Sequence, residues 1–200
     1  HFAQEVGISR IVYASSAGVY GLGPCPMKET NPSKPMNVYG FSKAVMENLA
    51  GSCLRDDPNL KLVGLRYFNV YGPREYYKGK AASMIWQLYC QMKAGHRPRI
   101  FKFGEQYRDF IYVKDVVQAN LMAVEAPSGV YNVCTWQHAD FNQVIRLINE
   151  SLGISLEAEY FDNPYSFYQN ETEGDANLAL TRLGFKAKYT ITDGIRDYLG

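Results

Sequence analysis

The chain has 200 residues, enough for one well-packed domain and too few for two of ordinary size. Apolar side chains make up 46% and charged ones 20%, which excludes an intrinsically disordered chain; 21 Lys and Arg against 20 Asp and Glu leave a net charge of +1, which excludes the basic surplus of a nucleic-acid binder. No run approaches the roughly 18 apolar residues of a membrane span, and the segment from His1 to Glu5 has neither the charge nor the apolar core of an export signal. Cys25, Cys53, Cys90 and Cys134 fall at no metal-ligand spacing and in no disulfide framework, so no metal site is expected and the expected compartment is a reducing cytoplasm.

A short segment ending at Gly7 reads as a helix end closed by its glycine, and Arg10 to Ser15 as the buried strand it feeds. Pro24, Pro26, Pro32 and Pro35 then forbid regular structure and predict a long loop. From Val38 to about Arg55 apolar residues return at helical spacing (Val38, Phe41, Val45, Leu49), followed by a buried strand over Lys61 to Phe68. A helix is predicted from Ala81 to about Lys93, a short strand from Arg99 to Phe103, and a strand end leading into a helix from Tyr112 to Ala126. Gly129 to Val133 reads as a strand. Asp140 caps a helix that runs through Leu152 and stops at Gly153, and Leu156 to Phe161 is a last strand. Two short helices, near Asp175 to Leu183 and Thr192 to Leu199, end the chain. Strands alternating with helices of this length predict an α/β protein with a mainly parallel sheet and a smaller mixed lobe packed against it.

The densest chemical signal is Tyr39-Gly40-Phe41-Ser42-Lys43, where a phenol and an ammonium stand four residues apart on one helix face. A phenol titrates near 10 and acts as a base at neutral pH only beside a positive charge, which Lys43 supplies. Taken alone, the pair reads rather as a surface tyrosine and a solvated lysine; its combination with a strand-end serine and a proline-rich loop reverses that preference. Ser15 and Ser16 close a buried strand upstream, where a parallel sheet presents its ligands, and a hydroxyl there is placed to polarise a substrate oxygen. Arg108 offers a guanidinium fork suited to phosphate, the alternative being a salt bridge to Asp109 or Asp115. Tyr165, Phe167 and Tyr168 beside Pro164 are candidates for a pocket wall or for lobe packing, and His1, His96 and His138 read as surface residues.

Four blocks in this order, Tyr13-Ala14-Ser15-Ser16-Ala17-Gly18-Val19-Tyr20-Gly21, Asn37 to Lys43, Arg66-Tyr67-Phe68-Asn69-Val70-Tyr71-Gly72-Pro73-Arg74, and Arg108-Asp109-Phe110-Ile111-Tyr112-Val113-Lys114-Asp115-Val116, resemble the extended short-chain dehydrogenase/reductase family of epimerases and dehydratases. The resemblance covers nearly the whole chain and the C-terminal two-thirds of the family's length. It implies a Rossmann-like doubly wound parallel sheet whose glycine-rich phosphate turn lies outside this sequence. At ~30 residues per βαβ unit, about three units precede it. Residues 1–75 and about 112–135 are then the dinucleotide-binding part, and about 76–111 and 136–200 the substrate lobe.

Pro73 to Gly79, with Phe103 to Phe110 downstream, is most similar to the ADP-glyceromanno-heptose 6-epimerases of that family. The resemblance implies Tyr39 and Lys78 as two acid/base groups supported by Ser16 and Lys43, with Lys43, Tyr39, Val70 and Lys78 beside the cofactor. It likewise implies Ser16, Asn69, Lys80, Gln87, Phe101, Arg108 and Tyr168 as substrate contacts, Lys80 and Gln87 standing where the epimerase pattern has a serine and a histidine. The implied cofactor is NADP, with NAD open because the selecting residues lie outside the sequence. The implied substrate is ADP-heptose or a related nucleotide sugar, and the implied assembly a homo-oligomer. Two alternatives stay open. One is a C4 epimerase or a dehydratase, the latter disfavoured by Ala17-Gly18 after the strand-end serines; the other is a non-catalytic truncated module that exposes a sheet edge and self-associates.

Overall fold

Three parallel strands set the frame. The computed structural model describes residues 2–165 and 168–200, so His1 and Phe167 lie outside it. After a single helical turn, α1 (Phe2–Glu5), strand β1 (Arg10–Ser16) pairs with β2 (Lys61–Tyr67), and β2 pairs with β7 (Gly129–Val133). Ser16 stands opposite Tyr67 and Tyr67 opposite Val133, so the three carboxyl ends are level. Leu62 to Arg66 of β2 are all buried, as expected of a parallel strand covered on both faces.

The β1–β2 crossover is α2 (Val38–Asp56), which Asn37 opens by accepting the Gly40 N–H at 2.7 Å. The apolar spacing that predicts this helix does not mark the face it buries. Val38, Phe41 and Leu49 are 85%, 61% and 61% exposed, and Val45 is exposed too; the buried face is Gly40 and Ala44. Only a glycine admits this crossing, because a Cβ on Gly40 would stand 2.5 Å from the Gly18 carbonyl oxygen.

The second half adds β3 (Asn69–Tyr71), a 3-10 segment over Glu75–Ala81, α3 (Met84–Lys93), β4 (Arg99–Phe101), β5 (Tyr107–Arg108), β6 (Phe110–Tyr112) and α4 (Val113–Ala123). Beyond β7 come β8 (Ala139–Asp140), α5 (Phe141–Leu152), β9 (Glu159–Phe161), β10 (Glu171–Thr172), a π-helical turn over Ala179–Leu183 and α6 (Ile191–Leu199). Two boundaries differ from expectation for visible reasons. Ser83 accepts the Trp86 N–H and starts α3 three residues later than predicted, and the Asn149 amide takes both Leu156 N–H and Leu156 C=O, which withholds the first residues of the predicted last strand from pairing.

Two large apolar clusters meet at β6, whose residues alternate between them. Phe110 and Tyr112 join Ile85, Leu88, Ile100, Phe141, Val144 and Ile195 between α3, α5 and α6. Ile111 joins Val63, Leu65, Tyr131, Val133 and Phe185 against the parallel sheet. A third cluster, with Val19, Tyr20, Met27 and Phe68, anchors the proline-rich loop.

Candidate active site

The level strand ends and the first turns of α2 bring Ser16, Tyr39 and Lys43 together. Gly18 marks the meeting point: a Cβ there would lie 3.3 Å from Ser16 Oγ and 3.8 Å from the Tyr39 ring. Ser16 caps the 3-10 turn Ala17–Tyr20 by accepting the Gly18 N–H at 3.1 Å, which fixes its lone pair and leaves its own O–H to donate outward. The Lys43 ammonium donates to the Ala14 carbonyl at 2.8 Å and lies over the Tyr39 ring, 5.6 Å from its centroid.

Beneath them sits a buried ionic network. Glu47 takes the Ser15 hydroxyl and a two-pronged Arg66 guanidinium, which stacks 4.7 Å from the Tyr20 ring centroid. Burial works against the Arg66 charge, yet hydrogen bonds to Glu47 outweigh it and hold its pKa above the usual range. Burial likewise pushes the Tyr20 phenol up to about 12; its O–H donates to Asn132 Oδ1 at 2.7 Å.

A cavity of about 400 Å³ opens beside the end of β3 and gathers Asn69, Val70, Phe101, Arg108 and Tyr168. Its wall is aromatic: Phe101 packs edge-on against Phe161 and Tyr168, with centroids 4.9 and 5.0 Å away, and Tyr165 closes the rim. Two cations line this wall, Arg99, which pairs with Glu159 at 3.0 Å, and Arg108. The Arg108 guanidinium donates to the Tyr107 and Asn170 carbonyls at 2.8 and 2.9 Å and lies over Tyr168, and among the described residues it forms no ion pair. Neither Asp109 nor Asp115 holds it, because both are spent on backbone donors, Asp115 on Lys188 N and Tyr189 N. Burial accordingly depresses the Arg108 pKa. Gln106 also lines the cavity, its buried Oε1 without a partner.

Lys78 lies in a smaller recess of about 190 Å³ that shares Val70 with the cavity. Its loop is exposed but held at both ends by the buried Glu75 carboxylate, which accepts the Gly72 N–H at 3.2 Å, the Ser83 N–H at 2.6 Å and the Ser83 hydroxyl at 2.9 Å. Lys80 and Gln87 are not in the cavity wall. Lys80 is exposed; Gln87 donates to the Ala82 and Lys80 carbonyls and lines an adjoining groove that shares Met84, Arg99, Phe101, Phe161 and Tyr165 with the cavity. His96 and His138 are exposed, His138 pairing with Glu173 at 2.6 Å. Among the described residues no three His, Cys, Asp or Glu side chains gather as metal ligands, and no helix is long and apolar enough to cross a membrane.

Sequence reasoning did not single out Glu47, Glu75, Gln106 or the cavity aromatics Phe110, Phe141 and Phe161. Glu47 had a readable sign, since it follows Lys43 by four residues on the same helix face. The others are united by pairings between distant segments that no local pattern carries.

The family profile described as the NAD dependent epimerase/dehydratase family matches residues 1–134. The chain belongs to that family. It is 36% identical over 198 residues to an ADP-L-glycero-D-manno-heptose-6-epimerase of Brachyspira hyodysenteriae, covering 94% of this chain and 62% of that protein. A second protein of that name from Alkalilimnicola ehrlichii is 36% identical over 210 residues, covering 100% of this chain and 65% of the relative. The chain thus spans less than two thirds of the length of these relatives. Among solved structures, the Helicobacter pylori ADP-L-glycero-D-manno-heptose-6-epimerase superposes with a TM-score of 0.86 at 39% identity, over 99% of this chain and 62% of that one. The UDP-glucose 4-epimerase of Thermotoga maritima superposes with a TM-score of 0.91 at 30% identity, over 98% and 64%. The α/β fold with its parallel sheet is therefore the Rossmann-like fold of these epimerases.

The family's nicotinamide cofactor fits the donor set at the strand ends. A phenol and an ammonium with protons beyond the one given to Ala14 offer donors of the kind that ribose hydroxyls accept.

Proposed function

We propose that the protein containing this chain is a nucleotide-sugar epimerase that inverts C6 of ADP-D-glycero-D-manno-heptose to give ADP-L-glycero-D-manno-heptose through a transient 6-ketone, with NADP as the cofactor and NAD as its rival. The observation that carries this reading is Arg108, a half-buried guanidinium with no carboxylate partner among the described residues, set in an aromatic cavity large enough for a nucleoside. A buried cation without a counterion is stabilised by an anion, and a guanidinium fork matches diphosphate oxygens. The aromatic wall suits the face of a base.

Inversion at a carbinol carbon requires the hydroxyl proton to leave, the ketone to turn, and hydride to return to the other face. The nicotinamide, when bound, supplies hydride acceptance and return. Tyr39, next to Ser16 and under Lys43, takes the hydroxyl proton while Ser16 donates to the same substrate oxygen and Lys43 offsets the phenolate charge. Lys78, in the recess that shares Val70 with the cavity, gives a proton to the ketone oxygen in its turned orientation. Asn69, Phe101, Arg108 and Tyr168 hold the nucleotide portion. Lys80 and Gln87 remain proposed substrate contacts from outside the cavity, and residues 1–75 and about 112–135 the proposed dinucleotide-binding part. Cytoplasmic residence and a homo-oligomer are part of the same proposal.

The test is incubation of the whole protein with NADP or NAD and ADP-D-glycero-D-manno-heptose, with inversion at C6 followed by proton NMR. Tyr39→Phe and Lys78→Ala are each expected to lower kcat by about 10²–10⁴. Full activity in Lys78→Ala would remove Lys78 as the second acid/base group while leaving the reaction at C6 in place. No inversion in the parent would move the substrate to another nucleotide sugar.

A further inference from the structure

We infer that Glu47 is a positioning residue: its carboxylate sets where the first turns of α2, and with them Tyr39 and Lys43, stand against the end of β1. The inference rests on the proposed roles of those two residues. Tyr39, Lys43 and Glu47 are spaced four apart and share one helix face. Successive turns of that face are tied to successive residues of β1, Lys43 to the Ala14 carbonyl at 2.8 Å and Glu47 to the Ser15 hydroxyl at 2.5 Å. Glu47 also binds β2, its Oε1 accepting from Arg66 Nε at 2.9 Å and its Oε2 from Arg66 Nη2 at 2.6 Å. One carboxylate therefore clasps the helix to two adjacent strands, just below the strand ends that hold Ser16.

Beyond the close crossing at Gly40, apolar packing does little to fix the register of α2. Its buried residues are Gly40 and Ala44, small side chains, while Val38, Phe41, Val45 and Leu49 face outward and Met46 and Leu54 are half-buried. The Glu47 and Arg66 side chains are only 9% and 7% exposed. A pair taken that far from water adds little net stability over an apolar replacement, but it is satisfied in one geometry only, and fixing a register is its best attested use. The Tyr20 ring completes the clasp by backing the guanidinium, and Tyr20 is itself tied to Asn132.

The experiment compares Glu47→Gln and Arg66→Lys with the parent in the whole protein, and with Glu150→Gln, which removes a carboxylate from an exposed ion pair with Arg146. Three quantities are read: kcat and KM, amide exchange of the 38–47 peptide against the α5 peptide 141–152, and the melting temperature. Both test variants are expected to lose at least tenfold in kcat with KM within twofold, and to exchange the 38–47 peptide at least tenfold faster. The melting temperature should fall, because either change leaves a buried charge imperfectly paired, while the α5 peptide keeps its parental exchange rate well below the transition and every quantity in Glu150→Gln stays parental. Unchanged kcat with unchanged exchange overturns the inference. So does an equal acceleration of exchange in the 38–47 and α5 peptides, since that marks a purely structural pair. If Glu47→Gln does not fold, Arg66→Lys decides by the same readouts. If the parent turns over no nucleotide sugar, the proposed function fails, while local exchange still decides whether Glu47 places α2.

Discussion

Asp109 is a fully buried carboxylate with no ion pair among the described residues. Its Oδ1 accepts from Thr135 N at 2.8 Å and Thr135 Oγ1 at 2.7 Å, and its Oδ2 from Trp136 N at 3.2 Å and Gly174 N at 3.4 Å, so it fastens the segment after β7 to the one after β10. Burial nevertheless outweighs these donors and pushes its pKa up to about 6. In the unfolded chain the group titrates near 4. Between those values the folded protein holds a proton that the unfolded chain has lost, so this contribution to stability is complete below about pH 4 and disappears as pH rises through 6. It is worth roughly 2–3 kcal/mol. The check is a carbon NMR titration of the Asp109 carboxyl, with a midpoint expected near 6; a midpoint near 4 would mean the backbone donors win. At this scale the sequence was legible where chemistry names a residue type: a strand-end serine, a phenol and a lysine four apart, an arginine left without a carboxylate among the described residues. Asp109 was weighed there only as a partner for Arg108, because nothing local says that a carboxylate will turn inward to gather N–H groups from two distant segments.

The helix α2 was legible in its period and not in its orientation. Val38, Phe41, Val45 and Leu49 give the repeat, but depth in the fold follows Gly40 and Ala44, since the close crossing with Gly18 needs small residues. Two glycines of this helix should therefore respond oppositely to the same change. Gly51→Ala adds a Cβ whose nearest neighbour is Arg55 Nη1 at 3.8 Å, and should stabilise by about 0.5–1 kcal/mol through helix propensity. Gly40→Ala drives a Cβ to 2.5 Å from a backbone oxygen that cannot yield without moving the turn after β1, and should destabilise by about 1–3 kcal/mol. Urea unfolding of both variants decides; a stabilising Gly40→Ala would mean that the crossing is looser than its geometry. Element boundaries were less legible than elements. The Ser83 cap and the Asn149 clamp on Leu156 are side-chain hydrogen bonds, and they override the propensity of the residues around them.

Over the whole molecule, the alternation of strand and helix announced a parallel α/β protein, and the register of β1, β2 and β7 delivers it. What pattern alone did not disclose is how the apolar interior is divided. Ala179, Leu183 and Phe185 from near the end of the chain return to the sheet-side cluster, while α6, only a few residues later, packs with α3 and α5. Between the clusters stands β6, three residues long, with Phe110 and Tyr112 turned to one side and Ile111 to the other. So short a party wall cannot lose one room and keep the next: melting either cluster releases the strand that closes its neighbour. Heating should therefore give one calorimetric transition whose van't Hoff and calorimetric enthalpies agree, and two resolved peaks would refute this. Phe110 also faces the 400 Å³ cavity, so a ligand seated there presses on the same partition and should raise the melting point of both halves together.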